Sequence, residues 1–154
     1  MHPPYVAVVG AGEPEDESLL DRAEEAGRLL ARRGWVLVTG GLGGVMAAAA
    51  AGAAAEGGTA VALLPGPDRS AASAGHAVVI PTGLGEMRNA LIVRSVDAVL
   101  AIGGSWGTLS EIAFAARTGV PVLTVASWAL PGGEVEACDS VQDAVDRIAS
   151  VVRR

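Results

Sequence analysis

The stretch "AVLAIGGSWGTLSE" (Ala98–Glu111) decides how the chain is read. Its first five residues form an unbroken apolar run, the pattern of a strand buried on both faces. Glycines follow at once, and a helix is expected from Thr108 to Arg117. Strand, glycine turn and helix make half of a βαβ unit. Two uses of the turn compete. Its glycines could cradle a phosphorylated ligand. Alternatively, Thr108 and Glu111 could form a capping box, the hydroxyl accepting an amide and the carboxylate reaching back.

The same alternation extends both ways. "YVAVVG" (Tyr5–Gly10), "WVLVTGG" (Trp35–Gly41) and "TAVALLP" (Thr59–Pro65) read as strands, as do "AVVIPT" (Ala77–Thr82) and "VPVLTVA" (Val120–Ala126). Helices are expected over 16–33, 46–56, 86–96 and 141–152. The first places Leu19, Ala23, Ala26 and Leu30 on one face, with acids in its first turn and arginines in its last. Residues 66–76 read as a surface loop. Repeated units of this length imply parallel strands with right-handed crossovers. The expected fold is α/β, a Rossmann-like three-layer sandwich with a mostly parallel sheet and helices on both faces, one domain over 1–154.

Composition agrees. At 154 residues there is room for one core, built from Ala, Val, Leu and Ile because aromatics are only 3%. The net charge of −6 and the absence of lysine speak against nucleic acid and anionic membranes as partners. Without lysine, phosphate recognition falls to backbone N–H groups and arginine. One cysteine and two histidines make a poor metal set, so no metal site is expected. Cys138 reads as incidental in a polar loop, and His2 and His76 receive no role. "MHPPYVAVVGAG" lacks the layout of a signal peptide, and "VMAAAAAGAAA" is shorter than the ~20 residues of a membrane span. A cytoplasmic protein is expected. That alanine helix has almost no polar face, so it is buried in the core or against a second copy in a homo-oligomer.

Ligands of open parallel sheets bind beyond the carboxyl ends of the strands. Three such ends are glycine-rich: Gly10 and Gly12; Gly40, Gly41, Gly43 and Gly44; and the segment Gly103, Gly104, Ser105, Trp106, Gly107 and Thr108. The dinucleotide pattern G-x-G-x-x-G fails because Glu15 stands at its third glycine. Arg88, near the start of its helix, is suited to a bidentate phosphate contact or to a salt bridge with Glu86 or Asp97. Arg94 reads as structural. Trp106 could stack on a heterocycle or pack as a lid on the neighbouring helix.

With "TGGLGGVM", "GEMRN" and "DAVLAIGGSWGTLSE" in this order, the chain resembles the Lonely Guy (LOG) superfamily over nearly its whole length. Its enzymes, once mislabelled lysine decarboxylases, are phosphoribohydrolases that cleave the N-glycosidic bond of cytokinin or adenosine 5′-monophosphates. Their marks are P-G-G-x-G-T-x-x-E and an upstream R-K pair. The resemblance implies catalytic roles for Arg88 and Glu111, and a phosphate loop at Gly104, Gly107 and Thr108. Gly103, Ser105 and Asn89 depart from the proline, the second glycine and the lysine. The molybdenum cofactor carrier-like branch, which reads I-G-G-G-x-G-T-L-S-E, is closer, with only Ser105 departing. It implies a phosphorylated ligand, with molybdenum cofactor as a bound guest.

Overall fold

The computed structural model describes residues 2–152. Seven strands lie in one sheet: β1 (Tyr5–Val9), β2 (Val36–Thr39), β3 (Ala60–Leu64), β4 (Val78–Pro81), β5 (Ala98–Ile102), β6 (Val122–Val125) and β7 (Val135–Cys138). Their order is β4-β3-β2-β1-β5-β6-β7, and every neighbouring pair is parallel. Five helices connect or follow them: α1 (Ser18–Arg32), α2 (Val45–Ala55), α3 (Arg88–Arg94), α4 (Trp106–Thr118) and α5 (Val141–Val152).

The apolar runs explain the layering. β5 is buried at all five residues, as a strand covered on both faces must be. One half of the core joins Val6, Val8, Leu37 and Leu100 to α1, α2 and α5. The other joins Ala7, Val9, Val99 and Ala101 to Ile92 of α3 and Ile112 of α4. Successive residues of β1 and β5 therefore feed opposite layers, following the two-residue period of a strand. The result is the three-layer α/β sandwich of the Rossmann type.

The alanine helix α2 buries Val45, Ala49, Ala50, Gly52 and Ala53 and packs extensively on α1. Small residues permit an unusually close approach. A Cβ at Gly27 of α1 would lie 1.9 Å from the Ala49 carbonyl oxygen, and one at Gly52 would lie 2.1 Å from that of Glu24. Around this contact, Arg28 and Arg32 of α1 bind Glu56. Among the described residues, no helix is long and apolar enough to cross a membrane.

Two details differ from the sequence reading. Residues 135–138 form an edge strand, and Cys138 is a buried core residue at its end rather than part of a polar loop. Only one residue of "VEAC" is buried, so the segment carries little apolar signal; its place comes from pairing with β6. Burial raises the Cys138 thiol pKa. The helix expected over 86–96 divides into a short 3₁₀ turn, Gly85–Met87, and α3.

Gly27→Ala is expected to cost about 1–3 kcal/mol by forcing α1 from α2, seen as a lower melting temperature by circular dichroism. An unchanged midpoint would contradict the close crossing.

Candidate functional site

The chain order places β1 beside β5, and the connections leave this junction toward opposite faces of the sheet. The loops after β1 and β5 consequently diverge and open a crevice, the general ligand position in open α/β sheets. A cavity of about 550 Å³ lies there, lined by Glu13, Glu15, Asp16, Ser105, Ser127 and Trp128 among others. Gly103 and Gly104 line it as well. Asp16 is already engaged, its carboxylate accepting from the Ser18 amide at 2.9 Å.

A second group forms at the ends of β2 and β3. Arg88 is 8% exposed, and its Nη1 lies so near Gly40 that a Cβ there would be only 2.4 Å away. Glycine at position 40 therefore makes room for the guanidinium. Nη1 donates to Asn89 Oδ1 at 3.0 Å, while the buried Nε has no partner among the described residues. Arg88 does not form the surface salt bridge with Glu86 or Asp97; the Asp97 carboxylate instead accepts from the Tyr5 amide. Elsewhere Arg28, Arg33 and Arg147 pair with carboxylates, and Arg94 covers Phe114, as its structural reading expected. A buried arginine with spare donor capacity is a different object.

Glu111 of α4 faces it. The carboxyl is 7% exposed, and burial pushes its pKa up from 4.5 to about 8, with the Arg88 charge opposing that rise. Burial also lowers the Arg88 pKa, opposed by Glu111. The two charges influence each other without a direct ion pair among the described residues.

The capping box is not formed. Helix α4 begins at Trp106, and its N-cap is Ser105, whose hydroxyl accepts from the Thr108 amide at 3.3 Å. Thr108 is consequently inside the helix, 1% exposed, with its hydroxyl 3.1 Å from that of Ser105. Glu111 is then almost two turns in and cannot reach back to the cap. The usable sequence signal was a serine just before the helical pattern.

The other glycines fall into distinct settings. Gly10 is wedged against Val45 and the Ile102 carbonyl, and Gly41 against Leu64. Gly12 and Gly43 are exposed. Gly44, with φ +62°, precedes α2, whose first amide, at Val45, donates to the Ala11 carbonyl at 3.1 Å. Gly107 and Trp106 line another cavity of about 470 Å³, with Met87, Asn89 and Ser110. Trp106 is 82% exposed and stacks on Trp128, so it is not packed down as a lid.

Comparison with known proteins settles the family. The SLOG cluster4 family model matches residues 3–151. The chain belongs to the SLOG cluster4 family. It is similar to the molybdenum cofactor binding protein of Rippkaea orientalis, with TM-score 0.94, 34% identity and 99% of both chains covered. The molybdenum cofactor carrier protein of Chlamydomonas reinhardtii gives TM-score 0.90 and 30% identity over 99% of this chain and 100% of that one. The cytokinin riboside 5′-monophosphate phosphoribohydrolase of Mycobacterium tuberculosis is 34% identical over 134 residues, 80% of this chain and 71% of that protein. The resemblance to LOG proteins and to the carrier-like branch is thus supported along the chain.

Within this SLOG domain, His76 has a part that the sequence reading missed. Its Nδ1 lies 3.0 Å from the Ser73 carbonyl, which can only accept, so Nδ1 carries the proton. Nε2 then accepts from the Thr39 hydroxyl at 2.7 Å, and Thr39 Oγ1 accepts from the Gly41 amide at 2.9 Å. The Ser73 amide donates to the Gly41 carbonyl, closing the ring. This network ties the 66–76 loop to the glycine loop beside Arg88. No local pattern joins residues 37 apart in the chain, so the contact was not legible in advance. Burial lowers the His76 pKa, favouring the neutral ring that the network requires.

Two expectations follow from this geometry. His76→Ala leaves the O–H of the buried Thr39 without its acceptor and is expected to cost about 1–3 kcal/mol, read as a lower denaturant midpoint. For Glu111, the native carboxyl holds its proton up to about pH 8 and the unfolded one only to about 4.5. Its contribution to stability is therefore lost as pH rises through that interval. Glu111→Gln should gain stability relative to the parent from pH 5 to pH 9 in unfolding titrations; a constant difference would refute the shift.

Proposed function

We propose that this domain binds a phosphorylated heterocyclic ligand, a nucleotide or a molybdopterin-type cofactor, in the manner of a molybdenum cofactor carrier. The observation that carries the reading is Arg88: a guanidinium buried beside a glycine loop, with an Nε donor that none of the described residues satisfies. Leaving such a group unpaired costs free energy, and an anion reaching it would recover that cost. The arginine and nearby loop amides are the phosphate-holding set, comprising Gly40, Gly43, Gly44, Gly104 and Gly107. Similarity to carrier proteins over the full chain supports a cofactor guest.

The residues suit an organic phosphate more than a bare metal. Among the described residues, no three His, Cys, Asp or Glu side chains converge as metal ligands. A metal-bearing guest would be held through its organic frame and phosphate. When bound, the guest supplies its own redox chemistry, while Arg88 and the loop hold its anionic end.

A second reading, the nucleoside 5′-monophosphate phosphoribohydrolase, rests on Glu111. Hydrolysis of an N-glycosidic bond needs a carboxylate beside the anomeric carbon to stabilise positive charge, and a positioned water. Glu111 offers the carboxyl beside Arg88, but with a pKa of about 8 it is mostly protonated at neutral pH. Ser105 also differs from the enzyme pattern: its hydroxyl takes the Thr108 amide, a donor that glycine at position 105 would leave open to phosphate. Both observations favour binding over turnover.

The test is calorimetric titration with molybdenum cofactor and a panel of nucleoside 5′-monophosphates, together with chromatography for released base. Micromolar binding that weakens tenfold or more in Arg88→Met, with no base released, is the expected result. No binding of any phosphorylated ligand would overturn the proposal. If base is released, the rate should rise as pH passes about 8 and vanish in Glu111→Ala.

A further inference from the structure

The cavity at the β1/β5 junction has a character that the phosphate reading leaves unexplained. Its walls carry Glu13 and Glu15, and no arginine or histidine is among its lining residues. Such a wall repels phosphate. Neither glutamate forms an ion pair among the described residues, so their oxygens are available as acceptors.

Aromatic placement gives an independent observation. The chain has three tryptophans, one tyrosine and one phenylalanine. Two of the tryptophans meet outside the core, at the mouth of this cavity. Trp128 lines it, and Trp106 stacks on Trp128 with centroids 6.2 Å apart and planes inclined by 28°. Trp128 packs onto Gly104 so closely that a Cβ there would meet its Cζ3 at 2.7 Å. The chain leading to it is strained: Ala126 has φ +54°, a conformation uncommon for a residue other than glycine. Next comes Ser127, a lining residue whose Oγ is fully buried and has no hydrogen-bond partner among the described residues. A stacking face, a row of acceptors and an unsatisfied hydroxyl thus converge on one cleft.

We infer that this cleft is the subsite for the ligand's ring, with Trp128 as stacking platform and Glu13 and Glu15 as acceptors for a donor edge. The chemistry selects the ring. A carboxylate accepts two adjacent N–H groups, as presented by a ring N–H beside an exocyclic amine. Guanine and pterin rings carry that edge, whereas adenine places an acceptor nitrogen beside its amine. The inference rests on the proposed function in that the phosphate end of the same ligand is assigned to Arg88, across the Gly103–Gly107 loop.

The test measures binding of GMP, AMP and an unphosphorylated pterin (6-hydroxymethylpterin) by calorimetry and by quenching of tryptophan fluorescence. GMP is expected to bind at least tenfold tighter than AMP, and the pterin to bind and quench as well. Trp128→Ala should weaken GMP and pterin about tenfold, with Trp128→Phe restoring part, and the double variant Glu13→Gln, Glu15→Gln should abolish the preference over AMP. These side chains are exposed enough for the variants to fold, which circular dichroism verifies. Equal binding of GMP and AMP, unaffected by Trp128→Ala, would overturn the ring subsite and leave the phosphate reading standing. Binding of the pterin and GMP that Arg88→Met does not alter would support the ring subsite and overturn the phosphate site. No binding by any of the three would overturn both.

Discussion

The parallel pairing of β1 with β5 is the joint on which the other features hang. Val6 to Val9 lie beside Ala98 to Ala101, and all of these residues are buried. Chain segments leaving the two strands must run to opposite faces, because α1 and α4 cover opposite layers of the sheet. The loops between therefore part and leave a cleft over the strand ends. Its acid wall comes from one loop, its glycines from the other, and its tryptophan from the segment after β6.

Charge then divides the region. The carboxylates of the β1–α1 loop stand on one side, and the buried guanidinium of Arg88 on the other. Arg88 is held in a low-dielectric setting by Asn89, and it is admitted there because position 40 has no side chain. Glu111 in turn keeps its proton to about pH 8 because burial outweighs the attraction of the arginine. The pair is accordingly not a structural ion pair among the described residues. Ser105 adds a further bias by capping α4 internally, so fewer amides at that helix end remain for a ligand. These are the features on which the proposal of a bound guest rests.

Much of this was legible residue by residue. "AVLAI" announced a strand buried on both faces, and the helix Val141–Val152 followed from its apolar spacing, because strand and helix periods are local properties of the chain. The three glycine-rich turns located the ends of β1, β2 and β5, and the Arg–Glu pair stood out by its motif. The edge strand at Val135–Cys138 was not legible, since a strand covered on only one side carries few apolar residues. The cap of α4 was misplaced for a different reason: both Ser105 and Thr108 are good cap residues, and the choice depends on where β5 ends and the chain turns.

The sequence by itself determined the alternation of strands and helices, the parallel sheet and the identity of the polar residues at the strand ends. Short-range periodicity and glycine geometry suffice for those. Only the tertiary structure decided that Arg88 is buried with a free donor, that His76 ties Thr39 and Gly41 to the 66–76 loop, and that Trp106 and Trp128 meet. Each of these joins residues distant in the chain, and their energies come from burial and hydrogen-bond completion that exist only after the layers have packed.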